Sequence, residues 1–178
     1  MLKGKKIVLG VTGGIAVYKA VDLVSRLRKQ GCEVRVVMTE HAQKFVTQLT
    51  FKEISGNAVA TSMWNSNQEF NVEHIALANW ADAFLVAPAT ANILAKMTYG
   101  IADDLLSTTL LAAQAPIVVC PAMNTGMYLN AATQENIAKL QSRGITVVPP
   151  ASGHLACGTS GLGRLPEPQQ IVEFMSSF

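Results

Sequence analysis

The chain has 178 residues, 49% of them hydrophobic and 15% charged, and its formal net charge is +2. This length fits one domain with a sizeable core, predicted over residues 1–178. The small net charge gives no reason to expect a nucleic acid or an anionic membrane as a partner. The apolar runs are short compared with the roughly 20 residues that cross a bilayer. The apolar composition predicts instead that other subunits cover part of the surface.

The cysteines and the N-terminus bear on the cellular compartment. Cys32, Cys120 and Cys157 make an odd number, and the apolar run Ile7–Val11 leads directly into glycines rather than into a cleavage site. Reduced thiols and a cytoplasmic location are therefore predicted. Cys32 and Cys120 lie beside or within predicted strands and are interpreted as packing residues. The sequence contains no Cys-x-x-Cys pair, and no metal site is predicted.

Apolar strands alternate with amphipathic helices along the chain. The first strand, Ile7–Val11, precedes a helix whose apolar residues recur from Val17 to Leu27 and whose C-terminal cap is Gly31. Further strands are predicted over 34–38, 83–87, 117–120 and 145–148, and Pro88 and Pro121 are expected to end two of them. Further helices are predicted after Thr39 and over 47–56, 74–80, 92–98, 103–113, 130–143 and 168–176, with loops over 57–73 and 149–166.

This order of elements predicts an α/β fold of the Rossmann-like (flavodoxin-like) kind, with a doubly wound, mostly parallel sheet in three layers. Ligands of such folds bind beyond the carboxyl ends of the strands. Four unusual segments lie at those ends, namely Thr12–Ala16, Thr39, Pro88–Asn92 and Pro121–Tyr128. Their predicted proximity is the first indication of a binding site.

Each of these segments is also compatible with an ordinary structural role. Gly13 and Gly14 would let the backbone approach an anionic ligand at a helix N-terminus, or they form a tight turn. Thr90 and Asn92 could contact a flat ring, or cap a helix. Asn124 could hold a carboxylate, or lie in a turn that Pro121 begins.

A histidine and a glycine-rich loop complete the candidate site. His74 is a candidate general base, because the reference pKa of the histidine side chain lies near neutral pH, although a lone histidine is more often structural. The loop around Cys157 lacks periodicity, as substrate-covering loops often do, and its thiol could be delivered to the site. A surface loop with an incidental cysteine is the alternative.

Taken together, the segments resemble the homo-oligomeric flavin-containing cysteine decarboxylases nearly end to end. The matching motifs are Gly-Val-Thr-Gly-Gly-Ile-Ala at 10–16, the histidine at 74, Ala-Pro-Ala-Thr-Ala-Asn at 87–92, Gly-Ile-Ala-Asp-Asp-Leu-Leu at 100–106, Pro-x-Met-Asn-x-x-Met-Tyr at 121–128 and Ala-Cys-Gly-x-x-Gly-x-Gly-Arg at 156–164. Tyr128 stands where family members often have Trp, and both are flat aromatic residues. The last two motifs are long and specific.

The resemblance implies FMN as cofactor and phosphopantothenoylcysteine, an intermediate of coenzyme A biosynthesis, as substrate. It implies FMN contacts at Gly13, Gly14, Ile15, Thr39, Ala89, Thr90 and Asn92, and substrate contacts at Met123, Ala156, Gly158 and Arg164. His74, Asn124 and Cys157 would be catalytic. The family also implies a homo-oligomer, either a trimer or a trimer-based dodecamer, in which His74 could serve the flavin of a neighbouring subunit.

The implied reaction oxidises the cysteine thiol of the substrate to a thioaldehyde, releases carbon dioxide and then reduces the resulting enethiol. Asn124 would hold the substrate carboxylate, and Cys157 would donate a proton in the reduction. The alternatives are a peptidyl-cysteine decarboxylase, which can stop at the enethiol, a related flavin prenyltransferase and a non-catalytic flavoprotein that regulates a phosphatase. Cys157 favours the complete reaction, and the sequence has no long acidic extension of the kind that such regulators carry.

Overall fold

The fold was analysed in a computed structural model, which describes residues 2–64, 73–154, 158 and 160–177. The strands are β1 (Lys6–Val11), β2 (Glu33–Met38), β3 (Val59–Ala60), β4 (Ala83–Ala89), β5 (Ile117–Pro121), β6 (Thr146–Val147), β7 (Ala151–His154) and β8 (Ser160–Arg164). The helices are α1 (Val17–Lys29), α2 (Gln48–Ser55), α3 (Glu73–Trp80), α4 (Ala91–Tyr99), α5 (Leu105–Ala112), α6 (Thr125–Leu129), α7 (Ala131–Ser142) and α8 (Pro168–Ser176), and a 3-10 turn covers Ala42–Lys44.

Six strands form a parallel sheet in the order β3-β2-β1-β4-β5-β6. The chain runs outward in one direction from β1 and in the other direction from β4. The boundary between these two strands is therefore the topological switch point, beyond which such sheets bind ligands. The predicted doubly wound α/β fold is confirmed.

The sheet is covered on both faces, because alternate residues of its strands enter two separate cores. Ile7 and Leu9 of β1 pack in the core that contains α1, α2 and α8, whereas Val8 packs in the core that contains α3, α4, α5 and α7. The central strands are consequently apolar on both sides, which explains their unbroken hydrophobic runs.

The structure contains a strand that the sequence did not predict and places the end of another differently. Val59–Ala60 forms the short edge strand β3 within the predicted loop 57–73, because two residues are too few to show a periodic pattern. Strand β4 does not end before Pro88 but continues to Ala89. Its register with β5 shifts between Val86 and Ala89, and a proline is tolerated at such an irregularity.

The predicted loop 149–166 contains an antiparallel hairpin, formed by β7 and β8. Gly153, Gly161 and Gly163 interrupt the side-chain alternation that would have indicated strands. The motif at 121–128 likewise contains a short helix, α6, that the sequence did not predict. Within the described part of the chain, none of the helices has the length and apolar character needed to span a membrane.

Candidate functional site

A cavity of about 390 Å³ lies at the carboxyl edge of the sheet, beyond β1, β4 and β5. Its volume is in the range of small-molecule sites. Residues from four segments line it, namely Gly13, Gly14, Ile15, Ala16, Tyr18 and Lys19 after β1, Thr90 and Ala91 after β4, Ala122, Met123, Asn124 and Met127 after β5, and Gly163, Arg164 and Leu165 at the end of the hairpin. Three of the four segments that the sequence placed together, those after β1, β4 and β5, therefore share one cavity, whereas Thr39 after β2 does not line it.

The Thr12 hydroxyl joins the two segments at the switch point. Its Oγ1 donates a hydrogen bond to the Pro88 carbonyl at 2.7 Å and accepts one from the Thr90 backbone N–H at 3.0 Å. The side chain is buried, so both partners would be unsatisfied without it. Thr12 thus holds the loop after β4 at a fixed distance from the loop after β1.

The two glycines of the first loop have different surroundings. A Cβ atom on Gly13 would overlap the Cβ of His41, which follows β2. A Cβ atom on Gly14 would meet only Thr90 Cγ2, at 3.8 Å, which is an ordinary contact. Gly13 is therefore required by packing within the chain, whereas Gly14 borders the open cavity.

Asn124 is positioned by the start of helix α6. Its Oδ1 accepts a hydrogen bond from the Gly126 backbone N–H at 2.8 Å, which caps the helix and fixes the orientation of the amide. Asn124 is exposed and lines the cavity beside Met123. A fixed amide at a cavity wall can recognise a carboxylate or another polar group.

Strand β8 of the hairpin lies directly against this segment. The Met123 N–H donates to the Gly163 carbonyl at 2.9 Å. A Cβ atom on Gly163 would overlap the Met123 carbonyl, and one on Gly161 would overlap the Thr125 hydroxyl. The two glycines therefore allow the close backbone approach that places Arg164 at the cavity.

Two cations face the cavity from α1 and from the hairpin. Lys19 is buried, and its Nζ donates to Glu167 Oε1 at 2.8 Å and to the Leu165 carbonyl at 3.2 Å. Arg164 Nη2 lies 3.1 Å from the same Glu167 oxygen. The hydrogen bond from Lys19 holds the pKa of the Glu167 carboxyl below its ordinary value, so this group stays ionised at neutral pH.

The cavity unites seven of the residues predicted from the sequence, which are Gly13, Gly14, Ile15, Thr90, Met123, Asn124 and Arg164. Other predicted residues lie elsewhere. Thr39 accepts a hydrogen bond from the Ala42 N–H, 3.3 Å away, Ala89 is buried within β4, and Asn92 is exposed on α4. None of these three lines the cavity.

The remaining predictions concern the catalytic set and the substrate loop. His74 lies on α3, which packs against α5, and does not line the cavity. Gly158 is exposed, with a φ of 86°, and also lies outside the lining. Ala156 and Cys157 fall outside the described residues.

Sequence reasoning missed Lys19, Tyr18 and Met127 as cavity residues. One signal for Lys19 was available, because it precedes Leu23 and Leu27 by one and two helical turns on a buried row of α1. A lysine in such a row requires a partner. That partner, Glu167, is distant in sequence and could not be identified from spacing.

Neither described cysteine reaches the cavity. Cys120 is fully buried in β5, and burial raises the pKa of its thiol to about 12. Cys32 is also buried, and its Sγ lies 3.4 Å from the Leu2 carbonyl. Both are packing residues, as the sequence indicated. Among the described residues, no group of His, Cys, Asp or Glu side chains is arranged to bind a metal ion.

The cavity therefore offers mostly apolar walls, one fixed amide, backbone groups before helix α1 and two cations. The cations are the only charged side chains among its described lining residues. This combination suits a ligand with a flat apolar part and an anionic group.

Comparison with known proteins agrees with this reading. The family model described as "Flavoprotein" matches residues 1–178. The chain is 51% identical over 177 residues to the coenzyme A biosynthesis bifunctional protein CoaBC of Haemophilus influenzae, covering 99% of this chain but only 44% of that relative.

Solved structures of similar proteins have the same fold. A Cys-to-Ser mutant of PPC decarboxylase, complexed with pantothenoylaminoethenethiol, has a TM-score of 0.89 at 32% identity, with 99% of this chain and 98% of that chain covered. The FMN-dependent cysteine decarboxylase SpaF has a TM-score of 0.84 at 30% identity, with both chains fully covered. The family predicted from the motifs is confirmed, and the chain belongs to the Flavoprotein family.

Proposed function

We propose that this chain binds FMN and decarboxylates phosphopantothenoylcysteine to phosphopantetheine, a step of coenzyme A biosynthesis. The observation that carries the proposal is the meeting of Gly14, Thr90, Asn124 and two cations in one cavity at the switch point. The relatives support it, since they include a bifunctional coenzyme A biosynthesis protein and PPC decarboxylase. The chain corresponds to less than half of that bifunctional relative, and the proposal concerns this portion alone.

The residues present fit a phosphorylated flavin. Gly14 leaves open space beside Thr90, and the segment Gly13–Ala16 lines the cavity immediately before α1, where backbone N–H groups favour an anion. Met123 and Met127 offer soft sulfur contacts to an aromatic ring. The proposed FMN contacts on the cavity wall are Gly13, Gly14, Ile15 and Thr90. Ala89, Thr39 and Asn92 are proposed as further FMN contacts, although they do not line the cavity.

The chain's own residues bind and orient the substrate in this proposal. Bound FMN would supply a reversible two-electron acceptor, so that a turnover needs no external reductant. The Asn124 amide, fixed by its cap on α6, hydrogen-bonds the substrate carboxylate, and Met123 packs beside it. Arg164, Ala156 and Gly158 bind the rest of the substrate, and the Cys157 thiol donates a proton during the final reduction.

The chain would act as a cytoplasmic homo-oligomer, either a trimer or a trimer-based dodecamer. Apolar side chains are exposed at the mouth of the cavity, and Ile15 and Tyr18 each have 60% of their surface accessible. Such a patch is typical of an interface. Because His74 does not line the cavity of its own chain, a neighbouring subunit is the proposed source of this histidine for each flavin.

The direct test is turnover of phosphopantothenoylcysteine by the purified chain reconstituted with FMN. We expect release of carbon dioxide, formation of phosphopantetheine and a yellow protein. His74→Asn should lower the rate by a factor of about 10² or more if it acts as an acid or base or steadies the reacting charge. A protein that binds FMN without releasing carbon dioxide would instead support a regulatory flavoprotein.

The product of Cys157→Ser distinguishes the complete reaction from one that stops early. We expect this variant to release carbon dioxide but to accumulate the enethiol, because its proton donor is missing. Cys32→Ser is the matched control, since Cys32 lies outside the cavity lining. Normal formation of phosphopantetheine by Cys157→Ser would rule out the donor role.

A further inference from the structure

A single carboxylate oxygen is shared by two cations at the hairpin side of the cavity. Glu167 Oε1 lies 2.8 Å from Lys19 Nζ and 3.1 Å from Arg164 Nη2. Lys19 comes from α1, Arg164 ends β8, and Glu167 immediately precedes α8. Lys19 thus crosses 148 residues of sequence to reach a carboxylate that Arg164, three residues before it, also contacts.

The cations face the cavity, and the carboxylate lies behind them. Lys19 and Arg164 line the cavity, whereas Glu167 does not. The Lys19 side chain is only 7% exposed, while that of Glu167 is 56% exposed on the outer surface. A ligand in the cavity therefore meets Lys19 and Arg164 first, and the buried lysine has its ion-pair partner outside the cavity lining.

The local charge balance favours an anion. Two cations and one carboxylate leave the group net positive. Asp22, the next acid near Glu167, is paired with Arg26 at 2.8 Å and adds no net charge. Lys19 has three N–H donors, and two of them bind Glu167 and the Leu165 carbonyl. The third has no partner among the described residues.

We propose that Lys19 and Arg164 form a subsite for a phosphate monoester and that Glu167 is the positioning residue that sets their spacing. This inference rests on the proposed function, which supplies two phosphate monoesters, one on FMN and one on the substrate. A phosphate offers several acceptor oxygens to two cations at once. The carboxylate prevents the cations from moving apart when the phosphate is absent.

The test replaces Glu167 with Gln, which keeps the size but removes the charge. Dissociation constants are measured for FMN and riboflavin by flavin fluorescence, and for phosphopantetheine and pantetheine by calorimetry on the FMN-loaded protein. We expect about tenfold weaker binding of one phosphorylated ligand and less than about twofold change for its dephosphorylated counterpart. Weaker binding of FMN would assign the subsite to the flavin phosphate. Weaker binding of phosphopantetheine would assign it to the substrate phosphate.

A second readout separates positioning from general loss of structure. If the substrate phosphate occupies the subsite, KM for phosphopantothenoylcysteine should rise about tenfold while kcat changes less than about twofold. Arg164→Gln should weaken the binding of the same ligand, so the test remains valid if Glu167→Gln folds poorly. Glu173→Gln is the matched control, because Glu173 lies on α8, the helix that Glu167 precedes, and accepts a hydrogen bond from Gln169 instead of binding the cations.

The proposal is overturned if neither phosphorylated ligand binds more weakly to Glu167→Gln. It is also overturned if the dephosphorylated ligands lose affinity by the same factor. These binding measurements do not require catalysis. A protein that shows the phosphate-dependent effect but releases no carbon dioxide would contradict the proposed function and still support the subsite.

Discussion

Two glycine-containing segments border the cavity, and they use glycine differently. In the loop after β1, Gly13 makes room for His41 of the same chain. Gly14 has no close neighbour and borders the cavity. In the hairpin, Gly161 and Gly163 both make room for the segment that carries Asn124. Glycine therefore marks a close approach at Gly13, Gly161 and Gly163, whereas Gly14 alone leaves space for a ligand.

We expect the largest effect on stability at Gly163 in the hairpin. Gly163 has a φ of 130°, which disfavours any L side chain, and its Cβ would overlap the Met123 carbonyl. Gly163→Ala combines backbone strain with overpacking, so we expect a loss of about 3 kcal/mol or more in the free energy of unfolding. Chemical denaturation measures it.

The same variant should also disturb the site, because Arg164 adjoins the altered residue. Gly144→Ala is a suitable control, since its φ is 82° but nothing lies within 4 Å of an added Cβ. That control isolates the backbone strain from the overlap. Equal losses in the two variants would show that the contact with Met123 contributes nothing.

We expect a smaller effect on stability at Gly13, in the loop after β1. Its φ is not in the left-handed region, so the only penalty of Gly13→Ala is the overlap with His41. We expect a loss of about 1–3 kcal/mol, as for other overpacked positions. His41→Gly in the same chain removes the obstructing Cβ, and the double variant should recover part of the loss in a denaturation cycle. Additive losses would exclude the His41 Cβ as the obstruction and leave the His41 backbone, 2.8 Å from the added Cβ, as the cause.

The fold was predictable where strands are buried on both faces. The runs at β1, β4 and β5 are almost purely apolar, and the helices between them repeat at helical spacing, so the α/β order followed from pattern alone. The hairpin was not predictable in this way. It lies outside the sheet, and its strands are held by glycine contacts with Met123 and Thr125 that produce no hydrophobic period.

The candidate site was predictable where its residues belong to strand ends. Gly14, Thr90 and Asn124 follow three strands that are neighbours in the sheet, and topology alone brings them together. The link between Lys19 and Glu167 depends on tertiary packing across 148 residues of sequence. His74 lies on α3 outside the cavity lining, and its proposed role came from the family resemblance rather than from a strand-end position.

The smallest effect on stability is expected at Gly14, and it tests the comparison most directly. An added methyl group there would make only an ordinary contact with Thr90, so Gly14→Ala should change the free energy of unfolding by no more than about 0.5 kcal/mol. The methyl group would nevertheless project into the cavity, and we expect FMN to bind about tenfold more weakly. Fluorescence titration with FMN measures this change, and denaturation of the flavin-free protein provides the stability control. Unchanged FMN affinity would mean that Gly14 does not face the flavin, and the glycines of the first loop would then have no role beyond packing.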